Sequence, residues 1–127
     1  MSIAFDGSQG LILVRAEVSG PQQTAILRLA LDTGATRTVL GASAVTTIGY
    51  DCGPSAKQTK LTTGSGVETV AIVEVARLQA MGIQVAPLQV LAHPLPPSAK
   101  IDGVLGLDFF RGRVLHINFQ KGEIDVT

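Results

Sequence analysis

Asp32-Thr33-Gly34-Ala35 follows directly on the apolar run Ala25-Ile26-Leu27-Arg28-Leu29-Ala30-Leu31, and this junction holds the residues best suited to chemistry. A carboxylate at the end of a buried-looking strand is costly unless hydrogen bonds or a charged partner compensate it. Gly34 lets the backbone turn sharply and approach that carboxylate closely, and Thr33 brings a hydroxyl that can bond across a close contact. The plainer alternative is a strand-to-turn junction with a capping Asp, because Asp and Gly both favour turns.

A second segment, Ile101-Asp102-Gly103-Val104-Leu105-Gly106-Leu107-Asp108-Phe109-Phe110, lies about seventy residues further on. Between the two stands Thr38-Val39-Leu40. In order and spacing these parts resemble the retropepsin-like aspartic proteases. That family runs an apolar strand into Asp-Thr-Gly-Ala, continues through a Thr-Val-Leu-like stretch, and much later places two apolar residues and a Gly before a short helix. Here the last feature is Val104-Leu105-Gly106.

Peptide hydrolysis by carboxylates needs two of them close together, one charged and one protonated. Two such groups a few ångströms apart share a proton, because like charges at that distance cannot both ionise. The charged member acts as general base toward water, and the neutral one donates a hydrogen bond to the scissile carbonyl. The chain supplies a single Asp-Thr-Gly, so the economical arrangement is a symmetric homodimer in which Asp32 meets its own copy.

The resemblance implies the same. It makes Asp32 catalytic and Thr33, Gly34 and Ala35 its support. The Thr33 hydroxyl then bonds across the dimer axis, and the Gly34 amide bonds the carboxylate. It also makes Gly64-Ser65-Gly66 the tip of a flap closing over a peptide substrate, with Val104 and residues 94–100 bordering side-chain pockets. An intramolecular alternative pairs Asp32 with Asp102 or Asp108. Their simpler roles are a turn residue for Asp102 and a cap or complement to a short helix for Asp108.

Retroviral members carry an Asp two residues after the motif's Gly and an Arg directly after the later apolar-apolar-Gly. Thr36 and Leu107 occupy those places here, so both halves of an ion pair that helps hold the dimer are missing together. Losing both partners can be nearly neutral, whereas losing one strands a charge. An interface rebuilt on apolar contacts is the expectation. Residues 3–5 and 124–126 are short segments suited to closing a dimer by edge pairing.

The elements that must position these residues read as short strands. At 127 residues the chain fits a single domain, 1–127. Fourteen glycines and six prolines point to many turns. Residues 11–18 and 24–31 read as a hairpin, and 41–48 as one short helix or irregular turn. Strands at 67–78 and 83–92 flank a connection at 79–82, Pro87 marks a bulge or edge, and 114–119 with 123–127 make a last hairpin. A short helix is expected after Gly106. The fold class is therefore an all-β, retropepsin-like barrel with one or two short helices.

Ten acidic and ten basic residues balance without a basic patch, which argues against a nucleic-acid or anionic-membrane partner. Cys52 is alone, and His93 and His116 are widely separated and read as surface or edge residues, so no disulfide, metal or cofactor is expected. No segment reads as a signal peptide or a membrane span, so a soluble chain is expected, whether on its own or as a domain of a longer, anchored protein. Three functions compete: a homodimeric aspartic endopeptidase, a non-catalytic module of the same fold that binds a peptide or partner, and a plain structural β-domain. The intact Asp32-Thr33-Gly34 favours the first.

Overall fold

The computed structural model describes residues 2–96 and 98–127. Its elements in chain order are β1 (Ser2–Ala4), β2 (Leu13–Ser19), β3 (Thr24–Leu31), β4 (Val39–Gly41), α1 (Ala42–Thr47), β5 (Gln58–Thr63), β6 (Gly66–Val75), β7 (Arg77–Ala80), β8 (Ile83–Val85), β9 (Leu88–His93), β10 (Gly103–Leu105), a 3₁₀ turn (Leu107–Phe110), β11 (Leu115–Asn118) and β12 (Glu123–Val126). Nine strands form one sheet in the order β5-β6-β9-β4-β10-β3-β2-β7-β8, and β1-β12-β11 form a second. No helix among the described residues is long and apolar enough to cross a membrane.

Period-two alternation builds the core. Val14, Ala16 and Val18 of β2 and Leu27, Leu29 and Leu31 of β3 are buried on one face of the first hairpin. They share a single apolar cluster with Val73 and Val75 of β6, Val90 of β9, Val45 and Ile48 around α1, Phe109, and Ile124 and Val126 of β12. Ile124 is completely buried, so the small sheet is part of the same core.

Two expected strands are each divided. The stretch 67–78 breaks at Ala76, where the chain leaves its pairing with β9 and joins β2. The Ala76 amide donates to the Tyr50 hydroxyl at 2.7 Å, and that hydroxyl donates to the Ser19 carbonyl at 2.9 Å, so a side chain satisfies the corner. The stretch 83–92 breaks at Ala86 and Pro87, where proline has no N–H to continue a ladder. The connection expected at 79–82 is tighter than its composition suggested. Gln79 and Ala80 belong to β7, and only Met81 (φ 54°) and Gly82 (φ 75°) turn the hairpin.

The feature that places the motif is the threading of β10 between β3 and β4. It runs parallel to β3, with Gly103 beside Leu29 and Leu105 beside Leu31, and antiparallel to β4. Backbones approach so closely there that side chains are excluded. A Cβ on Gly103 would lie 2.3 Å from the Val39 carbonyl oxygen, and one on Gly106 would lie 2.7 Å from that of Arg37.

Candidate active site

Asp32 is the first residue past β3, and its amide donates to the Leu105 carbonyl at 3.0 Å, which extends the β3–β10 ladder by one bond. The chain then turns, with the Ala35 amide donating to the Asp32 carbonyl at 3.2 Å and the Leu107 amide to the Ala35 carbonyl at 2.8 Å. The Gly34 amide donates to Asp32 Oδ1 at 2.8 Å. Strand register therefore fixes the carboxylate's backbone and one amide holds its side chain. Leu31 is the last buried residue of β3, and Asp32, Thr33 and Gly34 are exposed in the single chain. The desolvation expected of a strand-end carboxylate is thus absent in one copy.

Thr38 organises the loop beneath. It is the one buried polar residue among those described. Its hydroxyl accepts from the Gly106 amide at 3.1 Å and donates to Asp108 Oδ1 at 2.7 Å, while its amide donates to Asp108 Oδ2 at 2.9 Å. Both carboxylate oxygens of Asp108 are occupied in joining the Asp32 loop to the later motif. No side-chain cap stands at the 3₁₀ turn, but Asp108 lies in its first turn, as a complement to the helix start would, and it also clamps the two segments together.

Asp102 does a similar job at the other end of β10. Its Oδ2 accepts from the Arg28 amide at 2.8 Å, and its carbonyl accepts from Gly41 at 2.8 Å. Arg28 lies four residues before Asp32, about 13 Å up a strand at roughly 3.3 Å per residue.

Asp32, Gly34, Ala35, Thr36, Arg37 and Val39 line one wall of a cleft of about 480 Å³, and Leu91 joins them from β9. Lys60, Leu61 and Thr62, on the β5 arm of the β5–β6 hairpin, line the same cleft. The tip of that hairpin is Gly64-Ser65-Gly66, where Thr63 Oγ1 accepts from the Ser65 amide at 3.3 Å and Gly66 has φ +128°. The arm, not the tip, borders the cleft.

Val104 is half-buried in β10 between Ala30 and Val39, and the cleft beside Asp32 is lined without it. Of residues 94–100, Pro97 lies outside the described residues. Ala99 and Lys100 line a separate hollow of about 510 Å³ with Leu11, Leu13, Arg28 and Ile101.

Sequence reasoning missed Arg37, Lys60 and Leu91 as cleft residues, since nothing local marks them and only the fold brings the three segments together. It also missed the contact between His93 Nε2 and the Glu68 carboxylate, which ties β9 to the β6 arm of the hairpin.

Residues 14–109 match the family described as aspartyl protease. The chain belongs to that family. A crystal structure of a retropepsin-like aspartic protease from Rickettsia conorii superposes with a TM-score of 0.71 at 19% identity, covering 98% of this chain and 86% of that one. The fold of this aspartyl protease family member is therefore retropepsin-like. No curated protein matches it.

Proposed function

We propose that the chain is an aspartic endopeptidase that works as a homodimer, with Asp32 of each copy forming a shared-proton dyad that hydrolyses an extended peptide. The observation that carries this reading is the division of labour among the aspartates. Asp102 and Asp108 are engaged with Arg28 and Thr38, whereas Asp32 alone lines the cleft and is exposed. A dyad then requires a second copy.

In the dimer one Asp32 is charged and removes a proton from water, which attacks the scissile carbonyl carbon. The protonated Asp32 donates to the carbonyl oxygen, and the tetrahedral species collapses as a proton passes to the leaving amine. Gly34 keeps the carboxylate oriented through its amide. The Thr33 hydroxyl, exposed and without a hydrogen bond in the chain among the described residues, is suited to bonding across the axis. The β5–β6 hairpin is suited to closing over the substrate and excluding water.

The terminal segments need a revised role. β12 is flanked by β1 along Glu123–Asp125 and by β11 along Glu123–Val126, so Ile124 and Asp125 have no free edge, and β1 and β11 are the strands at the borders of the small sheet. Edge pairing between copies would run through those two strands.

Asp32→Asn tests the reading. The amide is nearly isosteric but cannot serve as base, so the variant should keep its circular dichroism spectrum and melting temperature and lose peptide cleavage. The unaltered chain should show a bell-shaped pH profile on the acidic side, as a pair sharing one proton requires. Full activity in Asp32→Asn would overturn the mechanism. A correctly folded, dimeric wild-type chain that binds peptides and cleaves none would favour the non-catalytic binding module.

A further inference from the structure

We propose that the cleft beside Asp32 selects peptides by an acidic side chain, which Arg37 and Lys60 receive together, one from the Asp32 loop and one from β5. The inference rests on the reading of this cleft as the peptide site, and it does not depend on turnover. The chain as a whole is neutral, with ten acidic and ten basic residues. The cleft is not: two cationic side chains line it, against the single carboxylate of Asp32.

Neighbouring acids are already committed. Both oxygens of Asp108 accept from Thr38, and Glu68 is in contact with His93. Arg37 is half-buried, and its guanidinium makes no hydrogen bond or ion pair within the chain among the described residues. Its backbone is held firmly, since its carbonyl packs against Gly106 and its neighbour Thr38 is clamped by Asp108. Lys60 stands on the flap arm, and its ammonium reaches only the neutral Thr69 hydroxyl, at 3.3 Å.

A partly desolvated cation without a partner is a poor arrangement for stability and a good one for recognition. A carboxylate entering from the peptide would gain the planar fork of Arg37 and the point charge of Lys60 together. Val39 and Leu91 line the same cleft and offer apolar contact to the stem of that side chain. Because one cation sits beside β4 and the other on the hairpin, an acidic residue would also draw the hairpin toward the Asp32 loop. Acidic peptides should then favour the closed form.

Binding to the Asp32→Asn chain separates selection from catalysis. The probes are fluorescently labelled short peptides of one apolar sequence carrying Glu, Gln or Lys at each position in turn, read by anisotropy at low and high salt. At one or more positions Glu should bind about tenfold more tightly than Gln, with Lys weakest, and the difference should shrink as salt rises. Arg37→Gln and Lys60→Gln should each reduce the Glu-to-Gln ratio, and the double variant should remove it. Arg37→Glu should turn the preference toward Lys. If Arg37→Gln melts early, Lys60→Gln, on an exposed strand position, carries the same comparison.

Equal affinity for Glu, Gln and Lys at every position, no binding of any peptide, or a preference that survives the double variant would each overturn the proposal. Cleavage of the same peptides by the unaltered chain keeps the two readings apart. Turnover without charge preference sinks the selectivity alone, and Glu-selective binding without turnover sinks the catalysis alone.

Discussion

Thr38 shows how a single hydroxyl can hold two motifs together. Its oxygen is acceptor for Gly106 and donor to Asp108, so one buried side chain connects the Asp32 loop with the later apolar-apolar-Gly segment. Thr38→Val keeps the shape and removes both bonds, leaving the Gly106 amide unsatisfied in a buried place. Stability should fall by about 2–3 kcal/mol, read by urea unfolding. Asp108→Asn should also act through stability. Loss of turnover in that variant, with normal melting and dimerisation, would instead revive an intramolecular dyad. The exposed Asp51 offers a contrast. Its carboxylate accepts from the Gly53 amide and the Ser55 hydroxyl, and these bonds hold its pKa below the ordinary 3.8. A depressed folded value means the contribution is complete above 3.8 and disappears as the pH falls through the folded value. Asp51→Asn should therefore lower neutral stability slightly and leave stability at pH about 2 almost unchanged, so the acid limb of the stability curve flattens, measured by thermal melting between those two conditions.

At the scale of elements, β10 is three residues long yet decides where Asp32 sits, because both its edges are paired and Leu105 hydrogen-bonds the aspartate's amide. Its insertion demands glycine where backbones cross. Gly103→Ala would push a methyl to 2.3 Å from the Val39 carbonyl oxygen, so the three strands must part. The expected loss is roughly 3 kcal/mol, with a fall in activity as Asp32 shifts. Gly64, at the hairpin tip, has no atom within 4 Å of an added Cβ. Gly64→Ala should leave stability within about 0.5 kcal/mol of the parent, and any change in turnover would report on closure of the hairpin. Comparing the two melting curves with the two rates distinguishes placement of the carboxylate from gating over it.

For the molecule as a whole, the proposed activity belongs to an assembly. If each copy brings one carboxylate, the rate per chain must follow the dimer population by mass action. Specific activity should fall on dilution in step with the dimer fraction seen by sedimentation. Constant specific activity across a dilution that yields monomers would rule the dimeric mechanism out. Thr36 and Leu107 stand where retroviral members carry an ion pair, so dimer stability in this chain should be less sensitive to salt than an ion-paired interface would be.

Much of this arrangement was legible from residue order. Alternating apolar residues declared the hairpin of β2 and β3, because period two is what a half-buried strand needs. Asp32-Thr33-Gly34 with Val104-Leu105-Gly106 announced the family, since the two segments meet across a ladder whose close approach only glycine permits. What sequence could not supply were facts that exist only between segments. Pro87 marks the break in 83–92, but nothing local in 67–78 shows that the chain changes partners at Ala76, from β9 to β2. Asp108 looks like a helix cap from its neighbours, and only folding brings Thr38 within its reach, seventy residues away. Arg37 and Lys60 carry no local mark of a shared role. They share a cleft because β6 pairs with β5 and with β9, which lies beside β4, and this long-range strand pairing, not the residues beside each cation, decides that.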